Sequence, residues 1–176
     1  NCFIAIVLWS FDSTFLLKVS VQIEVQVVQE LPPLPRVGIS MKLAKPVEHV
    51  TWFGRGPHEN YPDRLASADL GAWHLPMSGM HTHYIFPSEN GLRCDVNHLA
   101  LGSAVAPGHF HFSVSAFGQA QLTSASHDHE LVAQEGLFVY LDGYHMGVGG
   151  DDSWTPSTKP EYLLTESRYA WAFTLG

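Results

Sequence analysis

The chain has 176 residues, of which 45% are hydrophobic and 12% aromatic, and its formal net charge is −8. This composition excludes a disordered chain and suits a single domain with a sizeable core. The negative charge and the lack of a basic cluster argue against nucleic-acid binding. Only 15% of the residues are charged, which predicts that part of the surface is buried against another domain or subunit.

The first residues are apolar, but this run is too short to span a bilayer and lacks the basic start of a signal peptide. The sequence therefore predicts no membrane segment. Cys2 and Cys94 are far apart and do not indicate a disulfide scaffold, so we expect a reduced, cytoplasmic protein. Because the chain starts at Asn1 and not at a methionine, we expect it to be a piece of a longer protein.

The first strong strand signal is a strict alternation of apolar and polar residues over 19–27. A Pro-rich turn at 31–35 interrupts it. Residues 37–43 alternate again and predict an antiparallel partner for the first strand. Residues 47–53 predict the third strand of this meander.

A long irregular segment is predicted over 54–80, with one helical turn at 67–73, and such segments usually carry function. Strand patterns resume at 82–86, 92–99, 110–117, 130–133, 137–141, 162–164 and 169–175. No stretch has the pattern of an amphipathic helix of about twelve residues. The sequence therefore predicts an all-β sandwich of two antiparallel sheets.

Residues 142–157 predict a rigid loop, because four glycines allow close backbone approaches and several turn-forming residues follow. Trp154 lies at the tip of this loop. Two interpretations are open: Trp154 packs against the core of the domain, or the loop presents an aromatic face to a ligand.

Eleven histidines raise the question of a metal site. Three pairs are spaced i, i+2, which on a strand places both rings on one face: His81 and His83, His109 and His111, His127 and His129. Neither a cysteine pair nor a His-Glu-x-x-His motif accompanies them. The sequence therefore favours surface or half-buried histidines and predicts no bound metal.

Glycoside hydrolysis requires two carboxyl groups on either side of a cleft. Five acidic residues are candidates, and none stands out because all lie in predicted turns: Glu59, Glu89, Asp142, Asp151 and Asp152. The sequence also lacks a Gly-x-Ser-x-Gly nucleophile elbow and a Gly-x-Gly-x-x-Gly phosphate loop. We therefore predict no catalytic residue in this chain.

Three predicted loops, at 54–64, 86–93 and 142–157, combine hydrogen-bonding residues with aromatic ones. Carbohydrate sites use this mixture, because polar groups bind the hydroxyls and an aromatic ring covers the apolar face of the sugar. The loops therefore favour a sugar-binding function.

The same three stretches resemble, in the same order, blocks of the C-terminal domain of large bacterial β-galactosidases, which belong to glycoside hydrolase family two. Residues 54–64 (GRGPHENYPDR) are similar to the motif Gly-x-Gly-Pro-x-Glu-Asn-Tyr-x-Asp-Arg. Residues 86–93 (FPSENGLR) and 142–157 (DGYHMGVGGDDSWTPS) are similar to the next and the last block. The domain is therefore placed at 17–176, and residues 1–16 match poorly and are either boundary sequence or a first strand.

The resemblance implies an antiparallel supersandwich similar to galactose mutarotase. It also implies that the catalytic glutamates lie in a separate TIM-barrel domain or large subunit, and that Trp154 lines the substrate pocket. We expect six residues to support the loops: Asn60, Glu89, Arg93, His145, Asp151 and Asp152. Enzymes of this family use magnesium and sodium, bound mostly in other domains, so no cofactor is expected in this chain.

The expected partners are the barrel domain or large subunit and a β-galactoside sugar, within a full-length enzyme that is oligomeric. No nucleic acid or membrane is expected. Two other functions are open. The chain could be an autonomous aldose epimerase that uses histidines of the 81/83 or 127/129 pairs, or a sandwich that only stabilises subunit assembly.

Overall fold

The structure is a computed structural model that describes residues 2–11, 13, 16–26, 32–152, 154–155 and 157–176. Val27 and Leu31, at the end of the first predicted strand and the start of the predicted turn, lie outside these residues, as do Ser153 and Pro156 of the last loop. The described residues form nine strands and one α-helix: β1 Cys2–Phe11, β2 Leu17–Gln26, β3 Arg36–Leu43, β4 His49–Gly56, β5 Asp69–Pro76, β6 Arg93–Leu101, β7 Ala104–Ser115, α1 Gln119–Ser124, β8 Leu137–His145 and β9 Arg168–Leu175. Three 3₁₀ turns accompany them: Met77–Gly79, Asp128–Glu130 and Pro160–Tyr162.

The strands form an antiparallel β-sandwich, which confirms the predicted all-β class. One sheet contains β1, β2 and β9. The other follows the order β3-β8-β7-β6-β4-β5. Strand β7 joins the two, because Gly108 pairs with Phe173 of β9 while the rest of β7 pairs with β6 and β8.

The core lies between the two sheets and is built from alternating strand residues. Val19 and Val21 of β2 are buried with Phe173 of β9, and they share one cluster with Trp52 of β4 and Phe112 of β7. Burying side chains of this size contributes about 1.5–3 kcal/mol each. The alternation that predicted strands β2, β3 and β4 therefore reflects their position on a sheet with one buried face.

The predicted meander is wrong. Strand β2 pairs with β1 and β9, whereas β3 pairs with β8 at the edge of the other sheet. Alternation reveals that a segment is a strand, but it does not encode which distant strand completes the hydrogen bonds at its edges.

Several local predictions are also wrong. Residues 67–73 do not form a helical turn, because β5 (Asp69–Pro76) occupies most of this range as the antiparallel partner of β4. The predicted strand at 82–86 is a loop, 130–133 is the end of a 3₁₀ turn followed by a loop, and 162–164 runs from the end of another 3₁₀ turn to an isolated bridge at Leu164. The strands predicted at 92–99, 110–117, 137–141 and 169–175 are confirmed, as β6 to β9. Among the described residues, no helix has the length and apolar character needed to cross a membrane.

Candidate functional site

The three loops singled out in the sequence meet at one cleft of about 390 Å³. Trp154 is 90% exposed and Phe86 is 77% exposed, so both present aromatic surface to solvent. The interpretation of Trp154 as a residue packed against the core is therefore wrong. We call this site the aromatic cleft, and its lining comprises Arg64, Phe86, Pro87, Val148, Gly149, Gly150, Asp152, Trp154 and Thr155.

Asn60 fixes the first loop on the start of β6. Its backbone N–H donates to the carbonyl of Leu92 at 2.8 Å, and its side-chain oxygen accepts from the N–H of Cys94 at 2.9 Å. The amide nitrogen of the same side chain donates to the carbonyl of His58 at 3.0 Å. Asn60 is only 1% exposed, so these bonds satisfy a buried polar group and hold the loop in place.

Arg93 lies beneath the same loop as a buried cation. Its Nη2 donates to the carbonyl of Pro57 at 3.1 Å, and its Nη1 donates to the carbonyl of Gly91 at 2.8 Å. The guanidinium carbon lies 5.6 Å from the centre of the Trp52 ring, within the range of a cation–π contact. Burial lowers the pKa of Arg93 to about 10, so the side chain remains a cation at neutral pH and bridges two loop carbonyls.

Glu59 links the first loop to the second. Its Oε1 accepts from the hydroxyl of Tyr84 at 2.5 Å, and its Oε2 accepts from the N–H of Gly91 at 2.9 Å. Burial and the adjacent hydroxyl of Tyr84 raise the pKa of Tyr61 well above its usual value, so both tyrosines act as neutral donors. Sequence reasoning considered Glu59 only as a catalytic acid and missed this structural role.

Asp63 links the first loop to the third. Its Oδ2 accepts from the N–H of Gly149 at 2.7 Å. A Cβ atom at Gly147 would lie 2.5 Å from the same oxygen. The loop can therefore approach Asp63 only with a glycine at this position, which is the physical reason for part of the Gly-rich pattern.

Asp152 shapes the tip of the third loop. Its Oδ1 accepts from the N–H groups of Thr155 and Trp154, both at 2.7 Å. These hydrogen bonds lower the pKa of the Asp152 carboxyl group. Asp151 points elsewhere and forms an exposed ion pair with Lys159 at 3.0 Å. Of the two acids, Asp152 is the one whose contacts set the backbone that carries Trp154.

Arg36, Glu89, Asp142 and His145 form what we call the buried charge cluster, in which Asp142 and His145 are buried and Arg36 and Glu89 are half-buried. Arg36 is hydrogen-bonded to Glu89 through Nη2 and Oε2, and its Nη1 lies 3.8 Å from Oδ2 of Asp142. His145 Nε2 lies 3.3 Å from Arg36 Nη2, while its Nδ1 contacts the carbonyl of Met146 at 2.7 Å. A carbonyl can only accept, so Nδ1 of His145 carries a proton, and Nε2 faces both Arg36 and Oε2 of Glu89, at 3.6 Å from the latter.

Burial and charge act against each other within this cluster. Burial favours a higher pKa for Glu89, but the neighbouring His145 and Arg36 groups outweigh it and lower the pKa. Asp142 is buried more completely, and burial raises its pKa despite the attraction of Arg36. Burial also disfavours the charged form of Arg36, yet Asp142 and Glu89 raise its pKa. Arg36 is therefore the cation that stabilises the charged forms of both Glu89 and Asp142.

Sequence reasoning missed Arg36, because its partners Glu89 and His145 are 53 and 109 residues away. One local signal was present. Gly38 interrupts an alternating strand, which commonly marks a bulge or a close approach. The structure has a register shift between Val37 and Gly38, and a Cβ at Gly38 would lie 1.9 Å from Oδ1 of Asp142.

The predicted site residues thus fall into three groups. Trp154 and Asp152 line the aromatic cleft. Asn60, Arg93 and His145 are buried and Glu89 is half-buried, and none of the four lines the cleft. Asp151 lies on the exposed side of the third loop. The arrangement offers a polar ligand an aromatic surface with hydroxyl, carboxylate and guanidinium groups beside it.

The histidine pairs lie away from the cleft lining. His81 and His83 contact Asp128 at 2.8 and 2.9 Å and form the one group of potential metal ligands found among the described residues. Nδ1 of His111 accepts from the N–H of Asp95 at 3.2 Å. His127 and His129 stack on each other with ring centres 5.4 Å apart.

Fold and cleft together define a β-sandwich domain whose loops gather aromatic and polar groups at one shared site. A family model described as Beta galactosidase small chain matches residues 4–175. Because this match covers nearly the whole chain, the chain belongs to the β-galactosidase small chain family.

Similar curated proteins carry the name Beta-galactosidase. The chain is 52% identical over 158 residues to one from Vibrio cholerae, covering 90% of the chain and 15% of that protein. It is 56% identical over 153 residues to one from Aeromonas hydrophila, covering 85% and 15%. It is 46% identical over 166 residues to one from Enterobacter cloacae, covering 94% and 16%. The chain therefore spans about one sixth of the length of these relatives.

Proposed function

We propose that this chain is a carbohydrate-binding domain of a β-galactosidase. In this proposal the domain completes the substrate pocket of a retaining glycosidase whose catalytic barrel lies elsewhere in the full protein. The observation that carries the proposal is the exposed ring of Trp154, 90% accessible, at a cleft to which all three family-like loops contribute. Phe86 exposes a second aromatic ring at the same cleft, and an exposed apolar patch of this kind commonly marks a binding surface.

The chemistry of the aromatic cleft suits one face of a sugar. An aromatic ring covers C–H groups, while Arg64, Asp152 and Thr155 supply hydrogen-bond donors and acceptors beside it. The cleft is shallow in comparison with an enclosed sugar pocket, because Trp154 and Phe86 contact solvent over most of their surface. A second domain docked against the cleft would enclose a ligand there.

Three of the acidic candidates, Glu59, Glu89 and Asp142, are engaged in structural contacts or buried, which supports a binding role rather than acid–base catalysis. Glu59 accepts from Tyr84 and Gly91, and Glu89 pairs with Arg36. Asp142 is 1% exposed and has no access to a ligand. We expect the isolated chain to leave a chromogenic β-galactoside intact; turnover that disappears when one of these acids is substituted contradicts this.

The proposed partner is the remainder of the β-galactosidase. Strand β1 supports this proposal because its apolar side chains are exposed at the edge of a sheet. Leu8 is 60% exposed, Trp9 56% and Phe11 71%. An apolar edge strand of this kind favours contact with another domain or subunit over contact with water.

A chimera tests the proposed function directly. The matching segment of the Vibrio cholerae relative is replaced by this chain, which is 52% identical to it. We expect the chimera to hydrolyse a β-galactoside, and a version that lacks the segment to lose this activity while its barrel remains folded. Full activity without the segment contradicts the proposal.

A further inference from the structure

We propose that His81, His83 and Asp128 bind a divalent transition-metal ion such as Zn²⁺, at a site separate from the aromatic cleft. One ligand atom from each residue lies within 4.8 Å of the other two. Two imidazoles and a carboxylate form a donor set that suits Zn²⁺ and similar ions, and three protein ligands leave a fourth position for water.

The spacing of the donor atoms is close to that of a tetrahedral site. Nε2 of His81 lies 2.8 Å from Oδ1 of Asp128, and Nδ1 of His83 lies 2.9 Å from Oδ2. Ligands at about 2.0–2.2 Å from a tetrahedral Zn²⁺ are roughly 3.3–3.5 Å apart. Small rotations of the three side chains are therefore enough to admit the ion.

The two histidines are held in place by the segment between them. Asn90 accepts from the N–H of Thr82 at 3.0 Å and donates to its carbonyl at 2.6 Å. This pair of bonds fixes the backbone at the centre of the His-Thr-His sequence. The ring of His81 also packs edge-on against Phe117, with centres 5.1 Å apart. The backbone between the two histidines and the ring of His81 are thus positioned without help from an ion.

Asp128 is held independently, in the 3₁₀ turn Asp128–Glu130. The side chains of His127 and Glu130 form a reciprocal cap at the start of this turn. His127 is thereby engaged with Glu130, at 3.1 Å, and Asp128 is the carboxylate directed at the His81/His83 pair. A site whose donors are fixed before binding loses less entropy when the ion arrives.

The sequence alone predicts no metal here, because Asp128 lies 45 residues after His83 and no short motif joins them. An ion at this site would cross-link these two segments. The first of them begins the loop that carries Phe86 and Glu89, so bound metal is expected to stabilise the base of that loop. This inference does not depend on the proposed function.

The test uses the 176-residue chain, freed of metal by chelation and titrated with ZnSO₄ by calorimetry. We expect one Zn²⁺ per chain. At a free concentration 100-fold above the dissociation constant, the melting temperature should rise by about 5–10 °C. MgCl₂ should give no comparable rise, because imidazole is a poor ligand for Mg²⁺.

The variants His83→Gln and Asp128→Asn should each weaken Zn²⁺ binding by at least about tenfold. His83 is 81% exposed, so its substitution leaves the fold intact. His74→Gln is the matched control, since His74 stacks on His49 elsewhere on the surface, with ring centres 4.7 Å apart. Absence of saturable Zn²⁺ binding, or unchanged affinity in either site variant, overturns the proposal, as does loss of binding in the control.

Discussion

The aromatic cleft and the buried charge cluster differ in almost every physical respect. In the cleft, Trp154 and Phe86 are 90% and 77% exposed and make little contact with the fold. In the cluster, Asp142 and His145 are 1% and 4% exposed, and the charges neutralise one another. The polar groups of the cluster hold elements of the fold together, whereas the rings of Trp154 and Phe86 remain in contact with solvent.

The largest expected effect comes from removing the cation of the buried charge cluster. Arg36→Leu leaves Glu89 and Asp142 buried without a counter-charge, and we expect the free energy of unfolding to fall by about 3–5 kcal/mol. Urea unfolding measures this loss. The control is Arg168→Leu, which removes an exposed pair with Glu24 at 3.4 Å and should cost only about 0–1 kcal/mol. Equal losses of stability in both variants would show that burial does not determine how much these charges contribute to the free energy of unfolding.

The next effect concerns pH. Burial lowers the pKa of His111 to about 4. The negative charge of Asp95 opposes this decrease, and His145 and His109 add to it. A lowered histidine pKa means that the unfolded chain takes up the proton first. The stability that depends on a neutral His111 is therefore fully present above about pH 6.5. It is lost as the pH falls toward about 4.

His111→Asn keeps an acceptor for the N–H of Asp95 but does not titrate in this range. Between pH 6.5 and 4, unfolding experiments should show that the wild type loses about 1–3 kcal/mol more stability than this variant. Parallel pH profiles for the two proteins would contradict the buried, neutral state of His111.

A smaller effect is expected where the third loop meets the first. Gly147→Ala places a methyl group 2.5 Å from Oδ2 of Asp63, so the loop must shift and the Asp63–Gly149 hydrogen bond is strained. We expect a loss of about 1–3 kcal/mol by urea unfolding. Gly79→Ala is the control, because its new methyl group meets only Pro76 at 3.9 Å. Equal stability losses in the two alanine variants would contradict the close contact between Gly147 and Asp63.

Local patterns predicted the parts of this molecule that depend on local physics. The strands β6 to β9 were predicted from strand-like runs, and the three loops of the cleft from turn-forming residues, although β4 extends to Gly56 and β8 to His145, into two of the predicted loops. Pairings between distant segments could not be predicted, because no periodicity records them. Strand β3 pairs with β8, and Arg36 contacts Glu89, which lies 53 residues further along the sequence.

The predicted strand at 82–86 fails for a related reason. This stretch has strand-like residues, but Asn90 binds both backbone groups of Thr82 from within the same loop. The hydrogen bonds that a strand would exchange with a neighbour are thereby satisfied locally. Only the folded structure shows whether the backbone of Thr82 is hydrogen-bonded to a neighbouring strand or to Asn90.

The smallest effect on stability is expected at Trp154, and it should coincide with a large effect on function. Trp154→Ala removes a ring that is 90% exposed, so the free energy of unfolding of the chain should change by less than about 0.5 kcal/mol. A lost stacking partner costs about 1–3 kcal/mol of ligand binding. Trp154→Phe keeps an aromatic ring and is the matched control.

The kinetics of the chimera with the Vibrio cholerae relative therefore test directly whether Trp154 contributes to the substrate pocket. With Trp154→Ala, KM for a β-galactoside should rise roughly ten- to a hundredfold, while Trp154→Phe retains most of the affinity and urea unfolding of the isolated chain is unchanged by either substitution. Unchanged KM in the alanine variant, or unfolding of the isolated domain by the same substitution, would contradict the assignment of Trp154 to the substrate pocket.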